Sequence, residues 1–71
     1  MPLSMVNTGR RVRLMAVRAG HDLAVRLAAM GLVPGVELEV IRNNYRGPFI
    51  VLVKDTRLIL GRGVASKIEV E

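Results

Sequence analysis

Residues 23–35 read Leu23-Ala24-Val25-Arg26-Leu27-Ala28-Ala29-Met30-Gly31-Leu32-Val33-Pro34-Gly35. Leu23, Leu27 and Met30 fall on one side of a 3.6-residue helix and are predicted to face the interior. Gly31 stands where such a helix ends with a positive φ, a conformation glycine reaches without steric cost. Pro34-Gly35 then fits the central pair of a type II turn. Upstream, His21-Asp22 begins the helix, with Asp22 as the expected N-cap through its carboxylate. Downstream, Val36-Glu37-Leu38-Glu39-Val40 alternates apolar and charged residues, the pattern of a half-buried strand. One short helix is stopped, turned and fed into a strand, and no other stretch is helical at length.

The rest reads as short strands. Gly9 opens the first, which ends at Ala19-Gly20, with Val12, Leu14 and Ala16 predicted inward and Arg11, Arg13, Met15 and Val17 outward. The second runs from Val36 to Arg42. Asn43-Asn44-Tyr45-Arg46-Gly47-Pro48 is a loop of turn-tolerant residues. Phe49 to Val53 is continuously apolar, as in a central strand. Lys54-Asp55-Thr56 reverses the chain into a fourth strand, Arg57 to Leu60. A helical turn over Val64 to Lys67 precedes the last strand, Ile68 to Glu71, with Ile68 and Val70 inward. In the opening segment, Leu3, Met5 and Val6 are expected to pin the chain to the core. Five short strands suggest a mainly β, small antiparallel barrel, because closure removes edges that template aggregation. The helix between strands 1 and 2 would cap one end.

Seventy-one residues fit one small domain, residues 1–71. A chain this short buries about 60 % of its unfolded surface, and a 51 % hydrophobic composition offsets the thin core. No cysteine is present, so neither a disulfide nor a thiolate contributes. No apolar run approaches the roughly 20 residues of a membrane span, so neither membrane insertion nor secretion is expected.

Catalytic and ligand chemistry is sparse. The single histidine, His21, adjoins Asp22, but consecutive helical residues diverge by about 100° and rarely hold one ion together. Three or four donors are needed for a metal, so no metal site and no cofactor are expected. Ser4 and Ser66 have no base predicted beside them. Gly61-Arg62-Gly63 is too short for a phosphate loop. The chain is expected to be no enzyme.

Eleven Lys and Arg against six Asp and Glu give a net charge of +5, which draws polyanions. A basic barrel that binds nucleic acid is therefore an alternative, with Arg11, Arg13, Arg42, Arg46 and Arg57 as its candidate contacts. Single-strand binders stack bases on aromatic rings, and Tyr45 and Phe49 are the only aromatics here, so nucleic acid is not the expected partner. A peptide-binding barrel of another pathway is the other alternative.

The order Leu3, Gly9, Gly20, Leu23-Ala24-Val25-Arg26-Leu27, Met30-Gly31-Leu32-Val33-Pro34-Gly35 resembles the FeoA family of bacterial ferrous iron transport. So do Glu37-Leu38-Glu39-Val40, Gly47-Pro48, Phe49-Ile50-Val51, Leu58-Ile59-Leu60 and Ala65-Ser66-Lys67-Ile68-Glu69-Val70, nearly to full length. The resemblance implies an SH3-like barrel and a stand-alone cytoplasmic adaptor. Its implied partner is the cytoplasmic part of a FeoB-type transporter, through which it would reach the inner face of the membrane. Family members often carry arginines and an acidic residue in mid-helix, where this chain has Ala24, Val25, Ala28 and Ala29. Val25, Ala28 and Ala29 are predicted to face away from the barrel, flanked by His21 and Arg26. Small outward side chains let a partner, or a second copy of the chain, approach closely; alanine is also the best helix former and is tolerated on a solvated face. The candidate partner contacts are Val25, Arg26 and Ala29 on the helix, and Arg42, Tyr45 and Arg46 at the loop, residue types suited to interfaces and to steering an acidic surface. Gly31, Pro34 and Gly35 are assigned to turns.

Overall fold

In a computed structural model, which describes residues 1–44 and 46–71, five antiparallel strands form one sheet in the order β4-β3-β2-β1-β5. The strands are β1 (Arg11–Val17), β2 (Glu37–Asn43), β3 (Phe49–Val53), β4 (Thr56–Leu60) and β5 (Ile68–Val70). Helix α1 (His21–Ala29) lies between β1 and β2, the one-turn helix α2 (Arg62–Ala65) precedes β5, and a 3-10 turn (Leu3–Met5) precedes β1. This is the mainly β, SH3-like arrangement expected. The 3-10 turn packs against β5 and α2.

The sheet curls because β1 serves two partners. Arg11 to Arg13 pair with β2, whereas Leu14 to Val17 pair with β5. A bulge between Leu14 and Ala16 marks the handover, and another between Val40 and Arg42 bends β2. Bulges sharpen local twist and let a short strand change direction. They also shift which side chains point inward. The expectation that Ala16 faces the core is corrected here: after the bulge Ala16 is exposed, and Val17 packs against the core. Val12, Leu14, Leu38, Val40, Phe49, Val51, Val53, Leu60, Ile68 and Val70 fill the interior, with Leu3 and Val6 added from the opening segment. Met5, expected with them, is exposed.

The helix end follows the sequence closely. Gly31 has φ +88°, the Leu32 N–H donates to the Leu27 carbonyl at 2.9 Å and the Gly31 N–H donates to the Ala28 carbonyl at 2.9 Å. These are the paired bonds of a Schellman stop. Gly35 has φ +95°, and the Val36 N–H donates to the Val33 carbonyl at 3.1 Å, which closes the type II turn around Pro34-Gly35. The Gly35 N–H donates to the Leu14 carbonyl at 2.8 Å and thereby ties this turn to β1.

Two helix assignments change. The N-cap is Gly20, with no side-chain cap bond; Asp22 is inside the first turn, where its charge still complements the helix dipole. Met30 is 42 % exposed, not core, because the Schellman turn carries the chain inward one step later and buries Leu32 in its place. α1 therefore meets the core through fully buried Leu27 and half-buried Leu23. At β4 and α2 the bounds move as well: Thr56 belongs to the strand rather than the turn, and the helical turn begins at Arg62.

A β-branched residue at position 31 will strain the helix end. Gly31→Val is expected to cost more than about 1 kcal/mol, because L-residues resist positive φ. The nearest side-chain atom to an added Cβ, Val53 Cγ1, is 3.9 Å away, so the penalty is one of backbone conformation rather than collision. A Tm drop of at least about 4 °C is expected for a domain of this size; a melt within two degrees of the parent would contradict the assignment.

Candidate interaction surfaces

Three surface features gather the predicted site residues. The first is the flank of α1 that faces β1. Ala24, Val25 and Ala28 stand there opposite Met15, Val17 and Val33, around an apolar groove of about 420 Å³ with His21 on its lining. Val25 is 51 % exposed and Met15 46 %. The groove exists because β2 leaves β1 after Arg13, so the last residues of β1 have the helix rather than a strand on that side.

The second is the opposite flank of α1. Leu23, Arg26, Leu27 and Met30 face Ile59, Leu60 and Val64 across a smaller cleft of about 220 Å³. Val25 and Arg26, proposed from sequence as one contact surface, thus open onto different sides of the helix, while Ala29 is exposed and lines neither.

The third is the loop after β2, where Arg42, Asn43, Asn44, Arg46 and Gly47 line a polar hollow. Arg42 and Arg46 are both exposed and share this hollow; Tyr45 lies outside the described residues. Its wall is held by a network that sequence reading missed. The Asn43 Nδ2 donates to the Val6 carbonyl at 2.7 Å and to the Ser4 carbonyl at 3.1 Å. The Arg62 guanidinium donates to Asn43 Oδ1 at 2.9 Å and to the Asn44 carbonyl, and lies 5.8 Å from the Phe49 ring centroid. Asn43, read as a loop residue, is the last residue of β2 and fastens the opening segment to the sheet. Nothing in an Asn-Asn pair distinguishes such a staple from a turn.

The basic residues of the sheet are interleaved with acids and apolar groups. Arg11 stands opposite Glu39, Arg13 opposite Glu37, Arg42 opposite Ile50 and Arg57 opposite Leu52. The Arg13 guanidinium is 3.7 Å from the Glu37 carboxylate. A phosphate track needs several cations on one face, and this register places carboxylates among them.

Among the described residues no three His, Cys, Asp or Glu side chains group to hold a metal ion, and no helix is long and apolar enough to cross a membrane. His21 is exposed at the first position of α1.

Comparison with known proteins agrees with this architecture. The FeoA domain matches residues 1–71. A protein of Methanocaldococcus jannaschii named "Putative Fe(2+) transport protein A" is 40 % identical over 70 residues, covering 99 % of this chain and 84 % of the relative. A crystal structure of an iron uptake regulatory protein, FeoA, superimposes with a TM-score of 0.91 at 31 % identity, covering 99 % of this chain and 93 % of the other. The zinc complex of Stenotrophomonas maltophilia FeoA, described as a prokaryotic SH3 domain protein, gives a TM-score of 0.85 at 28 % identity, covering 100 % of this chain and 89 % of that one. Sequence order, barrel topology and these likenesses converge: the chain belongs to the FeoA family of ferrous iron transport proteins.

Proposed function

We propose that this protein is a cytoplasmic adaptor of ferrous iron uptake, acting through contact with the cytoplasmic part of a FeoB-type transporter and carrying out no chemistry itself. Family membership supplies the pathway. The observation that carries the contact mechanism is the apolar flank of α1 that faces β1, where Met15, Val25 and Val33 are each at least 41 % exposed. Apolar side chains gathered on a small surface mark interaction sites more often than single scattered ones. Arg42 and Arg46 at the polar hollow would steer an acidic partner surface and make the association rate fall with salt.

The test is titration of the transporter's soluble domain, with and without guanine nucleotide, against this chain and against a Val25→Glu, Ala29→Glu double variant. Both positions are exposed on α1, so circular dichroism should not change. Binding is expected to weaken at least tenfold. Unaltered affinity removes this helix face from the interface, and no binding by the parent chain retires the adaptor reading.

A further inference from the structure

We propose that the cleft between α1 and β4 is a docking groove for an extended, acidic–apolar segment of a protein partner, which adds to the sheet as a strand beside β4. The proposal rests on the adaptor reading and adds to it a second contact, on the flank of α1 opposite Val25, with the chemistry of what fills it.

The two outer strands differ. The outer edge of β5 is occupied: the Val70 N–H donates to the Met1 carbonyl at 2.8 Å, and Pro2 bridges Glu69. The outer edge of β4 has no strand beside it among the described residues. Lys54 and Asp55 form a two-residue loop with Val53 opposite Thr56, so Thr56, Leu58 and Leu60 bond to β3. By antiparallel alternation the N–H and C=O groups of Arg57 and Ile59 then turn outward. An unpaired strand edge is a template for another strand, and an extended chain is the ligand that can answer its alternating donors and acceptors.

Natural edges are blunted by charge, by bulges or by a covering element. This one is flanked by an apolar trough. Leu23, Leu27 and Met30 form one wall, and Ile59, Leu60 and Val64 the other. Ile59 is 73 % exposed, the most exposed large apolar side chain among the described residues, and it sits on the open edge. A groove with a strand edge on one side and a helix on the other suits peptide addition, in which main-chain bonds give affinity and alternate side-chain pockets give specificity. Charge selects the occupant. Arg26 lines the cleft and Arg57 lies on the edge strand, and neither makes an ion pair among the described residues. On a chain of net charge +5 this favours an acidic strand and disfavours a second copy of the protein.

Isotope-labelled protein should be titrated with a blocked peptide of alternating valine and glutamate. An N-methylated version and a valine–lysine version serve as controls. The amide signals of residues 57–61 and 23–30 should shift with the first peptide, and affinity should fall at least tenfold for each control and for the Ile59→Glu variant. Ile59 is exposed, so this substitution leaves the core intact, and the N-methylated control needs no variant at all. The proposal is overturned by the absence of shifts at millimolar peptide, by equal binding of the N-methylated peptide, or by shifts that map elsewhere. Dimerisation of the parent chain that Ile59→Glu abolishes would also overturn it, by giving the edge to a second copy. Undiminished binding of the transporter domain by Ile59→Glu sinks the groove and leaves the adaptor reading standing, whereas peptide binding without transporter binding does the reverse.

Discussion

Replacing Phe49 with alanine is expected to cost about 3–5 kcal/mol, the usual loss when a buried phenylalanine leaves a cavity behind. Phe49 is 1 % exposed and is among the largest fully buried side chains of the protein. It begins β3, opposite both Asn43 on β2 and Leu60 on β4, so its ring fills the place where three strands and α2 meet. At roughly 0.05–0.15 kcal/mol per residue, a chain of this size holds about 4–11 kcal/mol in all, so the substitution removes about a quarter of that or more. A thermal melt should show Tm lowered by at least about 12 °C. A drop below 5 °C would mean that the neighbouring side chains collapse into the space.

The second large effect is local. Leu27→Ala is expected to cost about 2–5 kcal/mol, concentrated in α1. The helix has nine residues and no side-chain N-cap, and Leu27 is its one fully buried residue. Isolated helices shorter than about 12–15 residues are marginal in water, so α1 persists because Leu27 and Leu23 hold it to the sheet and Gly31 stops it in register. Hydrogen exchange should separate the two parts: in the variant, amides of residues 24–30 should exchange far faster, while those of β2 and β3 stay protected. If both sets accelerate equally, the helix belongs to the same cooperative unit as the sheet.

Those effects fall in regions of unequal legibility. The end of α1 was readable because its signals are local: Gly31 and Gly35 permit a positive φ that few other residues adopt, Pro34 presets the first corner of the turn, and both glycines take up that conformation. The alternation of β2 and the apolar run of β3 were equally plain. The bulge that turns Ala16 outward left no mark, since it arises when β1 passes from one partner strand to another, a demand of closure rather than of residue type. Met30 matched the helical stripe by spacing and lines the cleft with Leu23 and Leu27, yet at the C-cap it stays exposed, while Leu32 beyond the glycine is buried. The candidate contacts divided for a similar reason. Periodicity could place Val25 and Ala29 outward, but whether Arg26 shares their neighbours depends on how α1 rests between β1 and β4, and its sequence does not encode that angle.

The bond between Val70 and Met1 sets residue 1 beside the end of β5, one residue short of Glu71. A few glycines joining Glu71 to Met1 would make the chain a ring, and the exposed Lys54-Asp55 hairpin offers a place to cut it open again. Such a circular permutant would keep every strand pair in place, would lose only the covalent β3–β4 connection, and would put new ends beside the unpaired edge. Candidate ligand strands could then be fused directly onto β4 and assayed as part of the same molecule.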